Sequence, residues 1–182
     1  FDRDSGDERD RVGARLVTVP TACLVGVERA DDDRLARVRC RPAVHEPLMN
    51  TLGIAEVTMP IMIMPPGAKP TAGENFGAFL MRAGSQMTAD DWKRNADFLN
   101  ARGALLRKEG IRLGYHNHNF EFRPLGNTNG WEILVGNTDP ATVDFEVDAG
   151  WVAAAGHDPV KVLGAMKGRA RQIHVKDILA TT

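Results

Sequence analysis

Cysteine is nearly absent from this chain: there are 2 in 182 residues, Cys23 and Cys40. They stand apart with no CxxC pair and read as ordinary thiols, and a disulfide between them would need an oxidising compartment. Long hydrophobic runs are missing too. Nothing approaches the roughly 18–20 residues of a membrane span, so no membrane partner is expected. Neither sign of charge dominates. With 23 cationic and 24 acidic residues the net charge is -1, and nucleic-acid partners, which need a basic surface, are not expected. No secretory leader is expected, because Phe1 opens a charged segment and not a basic and then apolar one. An initiator Met is lacking as well, so the true start is expected upstream. The compartment stays open, with the cytoplasm favoured.

What is present is an ordinary globular composition, 43% hydrophobic, long enough for one domain with a sizeable core. Residues 1–47 are atypical: their cations are all Arg, with acidic clusters at 2–10 and 31–33 and only Leu16–Val19 and Cys23–Val27 strand-like. This segment is read either as a lead-in or as sequence unrelated to the domain that follows. From Leu48 the pattern becomes regular. Residues 48–53 read as a helix end, and 55–60 as a strand. Residues 61–87 form a Met-, Pro- and Gly-rich loop of lid-like length, with a short helix at 77–83. Thr88 is an N-cap for a helix over 88–109, with Trp92, Ala96, Leu99, Gly103 and Leu106 on one stripe and Gly110 as the stop. Strands over 111–118, 142–148 and 171–176 follow, separated by short helices near 131–135 and 159–166, the latter entered by Pro159.

Those three strands alternate with period two. One face reads Ile111, Leu113, Tyr115, then Val143, Phe145, Val147, then Ile173, Val175. The other reads Arg112, His116, His118, then Asp144, Glu146, Asp148, then Gln172, His174, Lys176. Side chains alternate across a strand, so each segment has a greasy face and a face of imidazoles, carboxylates or a lysine. Strand–helix alternation gives a parallel α/β sheet. Fully buried parallel strands are apolar on both faces, so a polar face fits a barrel interior whose strand ends carry chemistry.

The stretches GYHNHNFEF (114–122), DFEVDAGWV (144–152) and QIHVKDI (172–178) resemble the sugar phosphate isomerase/epimerase family, the xylose-isomerase-like TIM barrels. Similar motifs occupy the fifth to seventh strands there, and EVTMP (56–60) is similar to the fourth. The resemblance covers residues 48–178 and implies a domain over 48–182 that is a partial (β/α) TIM barrel with parallel strands, incomplete at both ends. Such a barrel has eight strands in about 250 residues, and neither its first three strands nor an eighth-strand Glu is visible here.

The resemblance also implies a divalent metal ion (manganese, zinc or magnesium) held by strand-end ligands. Asp148 and His174 match the family's sixth- and seventh-strand ligands. For the fifth strand, parity favours His116 and charge favours Glu121, and both stay open. The implied function is a metal-dependent isomerase or epimerase of a sugar or sugar-like polyol, working through an enediolate, with a related dehydration open to the same site. Glu121 is the candidate general base. Lys176 is a candidate to neutralise an oxyanion, unless it merely pairs with Asp177 or Glu146, and His118 to touch substrate or orient a ligand. Glu146 is expected to pair with Arg112, Trp131 to pack, Trp151 to wall the pocket, and His45 and His157 to lie on the surface. A small sugar is the expected partner, with homo-oligomerisation through open sheet edges. The alternatives are a non-catalytic truncated remnant of such an enzyme and, with less support, a metal-dependent nuclease like the AP endonucleases.

Overall fold

The computed structural model describes residues 54–177. The expected strands at 16–19 and 23–27, the helix end at 48–53, both cysteines and His45 lie outside the described residues.

A four-stranded parallel sheet organises the fold. Its strands are β1 (Glu56–Met59), β2 (Arg112–His116), β5 (Val143–Asp148) and β6 (Ala170–His174), adjacent in that order. Each new strand joins the same growing edge, as in successive units of a (β/α) barrel. The sheet is curled: the Thr58 hydroxyl of β1 reaches the Gln172 side-chain oxygen of β6 at 3.5 Å although two strands lie between them. Neighbouring strands are spaced about 4.8 Å apart, so a flat sheet would hold these residues roughly 14 Å apart. The polar alternating face is therefore the concave one.

Helices α1 (Phe76–Ser85) and α2 (Ala89–Lys108) link β1 to β2. The start of α2 is fixed by a capping box in which the Thr88 hydroxyl accepts from Asp91 N at 3.2 Å and Thr88 N donates to Asp91 Oδ2 at 2.8 Å. Its end is a Schellman turn: Gly110 at φ +74° lets Ile111 N reach Leu106 O at 3.0 Å and Gly110 N reach Arg107 O at 3.1 Å. Trp92, Ala96, Leu99 and Gly103 bury its stripe. The long segment before α1 is not a free lid at its start. Asn95 on α2 accepts from Ile63 N at 2.7 Å and donates to Ile63 O at 3.2 Å, and Met62 is buried.

After β2 come a 3-10 turn (Phe120–Phe122), a two-residue hairpin of β3 (Pro124–Leu125) and β4 (Thr128–Asn129), and α3 (Gly130–Asn137). Helices α4 (Ala149–Ala154) and α5 (Pro159–Ala165) connect β5 to β6. The convex face of the sheet carries the core: Val57, Leu113, Tyr115, Val143, Phe145 and Val147 pack with Trp92, Leu99, Trp131 and Leu134. Trp131 packs, as expected, against Phe122 and Phe145.

Two expectations need correction. Strand β2 ends at His116 and β6 at His174, so His118 and Lys176 lie beyond the hydrogen-bonded ladder. The apolar face expected to be buried on β6 is open among the described residues, with Ile173 54% and Val175 79% exposed, because no described helix seals it. Among the described residues no helix is long and apolar enough to cross a membrane.

Candidate metal centre and active site

Register builds the site. His116 at the end of β2 lies opposite Glu146 on β5, and Asp148 lies opposite His174 on β6. All four are at the C-terminal ends of adjacent parallel strands, where barrels place chemistry. Parity sends them to the concave face. Asn117 locks the strand ends together: its Oδ1 accepts from Asp148 N at 2.8 Å while its amide donates to Asp148 O at 3.4 Å.

His116 Nδ1 meets Glu146 Oε1 at 2.6 Å, which turns Nε2 toward Asp148 Oδ2 at 3.5 Å. His174 Nδ1 stands 3.0 Å from the same Oδ2. His116, Glu146 and His174 each offer a ligand atom, all within 4.8 Å of one another. Two ligands bound at 2.0–2.2 Å sit at most about 4.4 Å apart, so small side-chain rotations close this set on one ion.

Asp148 is fully buried. Its Oδ1 caps α4 by accepting from Trp151 N at 2.9 Å. Its Oδ2 accepts no well-aligned hydrogen bond, even though Lys176 Nζ is 2.8 Å away. Lys176 therefore forms an ion pair of poor angle, and a buried carboxylate oxygen beside two imidazoles retains a lone pair for a cation. Two nitrogens and two carboxylates suit a borderline divalent ion, so the residues present fit the group that the family resemblance implies.

The expectation that Glu146 pairs with Arg112 is wrong: Arg112 pairs with Asp144. Gly114 lies opposite Asp144 and has no side chain, and a Cβ there would come within 3.0 Å of Thr58 Oγ1, while the register hands Glu146 to His116. Glu146 thus joins the cluster as an added member, and of the two fifth-strand candidates it is His116, not Glu121, that shares it.

Glu121 stands apart from that cluster. It is fully buried, its Oε1 accepts from Tyr115 Oη at 2.8 Å, and its Oε2 accepts from His118 N at 2.9 Å. Tyr115 points to the convex core, opposite to His116, and both Glu121 oxygens are taken by these two hydrogen bonds. Burial raises its pKa to about 7, against the lowering effect of its hydrogen bonds to Tyr115 and His118.

His118 lies just past β2. Its ring stacks on Phe120 at 5.1 Å and meets His116 edge-on at 5.2 Å. Its Nδ1 is buried without a partner. Burial first, and then the charges of His116 and Lys176, lower its pKa to about 4, so the ring is neutral at neutral pH. Lys176 lies over the Trp151 ring, 3.9 Å from its centroid, so Trp151 does flank the cluster. His157 is exposed and packs against Phe122, away from the site. Sequence reasoning passed over Asn117, whose place between two site histidines was the available signal.

No protein-family model matches the chain. It is similar to the inosose dehydratase of Bacillus anthracis (strain CDC 684 / NRRL 3495), 32% identical over 91 residues that are 50% of this chain and 30% of that protein. It is equally similar to the inosose dehydratase of Clostridium perfringens (strain 13 / Type A), 32% identical over 92 residues, again 50% of this chain and 30% of the relative. A solved sugar phosphate isomerase/epimerase of Parabacteroides distasonis ATCC 8503 superposes with a TM-score of 0.56 at 26% identity, over 75% of this chain and 44% of that one. A second structure of that description, also from P. distasonis, gives a TM-score of 0.58 over 80% of this chain and 49% of that one, and at 23% identity it speaks to the fold alone. The chain thus matches less than a third of the curated relatives and about half of the solved structures. In fold and in sequence it resembles the sugar phosphate isomerase/epimerase proteins.

Proposed function

We propose that these residues form the metal-binding, acid–base half of an enzyme acting on a sugar or polyol ketone. One observation carries the reading: His116, Glu146, Asp148 and His174 converge at the ends of three adjacent strands, with Asp148 Oδ2 buried and without an aligned hydrogen bond. Two imidazoles favour zinc or manganese over magnesium. A divalent ion bound there supplies Lewis acidity that stabilises negative charge beside the carbon losing its proton.

The chain's own groups divide the remaining work. Glu146 Oε1 faces His116 and the ion site; its other oxygen takes the role of proton acceptor that the resemblance gave to Glu121. Glu121 holds the His118 backbone in place. Neutral His118, edge-on to His116, is placed to accept from a substrate hydroxyl. Lys176, at the rim, faces negative charge developing on a substrate oxygen. Returning the proton to the neighbouring carbon completes an isomerisation, and returning it to the other face completes an epimerisation. A second outcome, loss of an adjacent hydroxyl, is favoured by the match to inosose dehydratases over 91 residues.

The test is calorimetric titration of the chain with zinc and manganese, set against Asp148→Asn. Asn still caps a helix, so α4 survives while the carboxylate charge is lost. One-to-one binding that disappears in D148N supports the reading. Absence of binding in the parent chain leaves the non-catalytic remnant as the explanation.

A further inference from the structure

We infer that Lys176 is an internal stand-in for the ion: its ammonium neutralises Asp148 while the site is empty and leaves that carboxylate when a divalent cation binds. The inference rests on the metal-binding reading above and adds an exchange of two cations on one oxygen.

A carboxylate with no solvent exposure costs several kcal/mol unless a cation faces it. Asp148 is such a group, and the ammonium on it is that of Lys176, at 2.8 Å, with the guanidinium of Arg112 spent on Asp144. Lys176 lies beyond the end of β6, and its side chain keeps 27% of its exposure, so one end of its path is open to water. Gly150 makes room for the stem: a Cβ there would come within 2.7 Å of Lys176 Cγ. The ammonium is held by charge and by the Trp151 face, without an aligned hydrogen bond to Oδ2. A flexible four-carbon stem with a point charge suits a contact that must be given up.

Placing both cations on one oxygen is disfavoured by their mutual repulsion. An ion about 2.2 Å from Oδ2, with the ammonium 2.8 Å from it, leaves the two charges no more than about 5 Å apart. The imidazoles of His116 and His174 and the carboxylate of Glu146 favour the ion over the ammonium, so Lys176 is displaced toward solvent. That movement takes its charge off the Trp151 ring and delivers it to the rim where a substrate oxygen would arrive.

The experiment is a zinc titration of the full chain, followed in parallel by calorimetry and tryptophan emission, on the parent and on Lys176→Gln, Lys176→Arg and Trp151→Phe. The inference expects zinc to change emission in the parent and not in W151F, because Trp92 and Trp131 are buried in the core and it is Trp151 that carries the ammonium. It expects K176Q to bind zinc at least about tenfold more tightly, the equivalent of roughly 1.4 kcal/mol of relieved competition. K176R, which retains the charge, should bind as the parent does. Should K176Q fail to fold, the parent emission change and its loss in W151F decide. Equal zinc affinity in parent and K176Q, with emission unmoved, overturns this inference and leaves the metal reading standing. Zinc binding by none of the four overturns both.

Discussion

Glu121 and Glu146 show how two carboxylates acquire different work. Glu146 lies across from His116 on the concave face, whereas Glu121 is sealed between Tyr115 and the His118 amide. Burial raises the folded pKa of Glu121 to about 7 from an ordinary 4.5. Between those values the folded chain holds a proton that the unfolded chain has released. Stability therefore falls as pH rises through this window, by up to about 3 kcal/mol, and levels above it. Glu121→Gln keeps an acceptor for His118 N and has no such slope. His118 acts in the opposite sense below about 6.5, since its folded pKa is near 4, so the quantity to plot is the difference between parent and E121Q denaturation midpoints against pH. Parallel curves would contradict the burial account. At this scale the sequence named His116, Asp148 and His174 through parity and motif. It could not decide Glu121 against His116, nor find Glu146, because both depend on which residue lies opposite which, and inter-strand register is not written in either strand alone.

The helix α2 is the element most plainly legible beforehand, because its signals are local: Thr88 and Asp91 at the start, Gly110 at the stop, an apolar stripe between. Strand ends were less legible. Polar residues of the alternating face recur as far as His118 and Lys176, but the hydrogen-bond ladder stops earlier, at His116 and His174. Packing between elements was not legible at all. Gly103, in the middle of α2, would be the natural residue to replace by a better helix former, a gain of about 1 kcal/mol in isolation. A Cβ there would lie 2.5 Å from the backbone carbonyl oxygen of Thr142, just before β5. Backbone cannot step aside cheaply, so Gly103→Ala is expected to lower stability by about 2 kcal/mol in urea unfolding, against the propensity trend. A stabilised G103A would mean that α2 does not lie on β5 as described.

The described residues form an arc of four parallel strands, with β1 and β6 each paired on one side only among them. The contact between Thr58 and Gln172 shows the arc already curling toward closure. Ile173, Val175 and Val160 expose apolar surface at the β6 end. Open parallel edges beside exposed apolar side chains invite pairing with another chain, so light scattering should find the chain self-associated at high concentration. A clean monomer would contradict that expectation. The arc brings the rim residues of β2, β5 and β6 to one place, and the account depends on their sharing an ion. Zinc-edge X-ray absorption of the zinc-loaded chain tests this most directly. Two imidazole nitrogens and carboxylate oxygen at about 2.0–2.2 Å is the predicted first coordination sphere; a sphere of solvent oxygen alone, or no bound zinc, would contradict it.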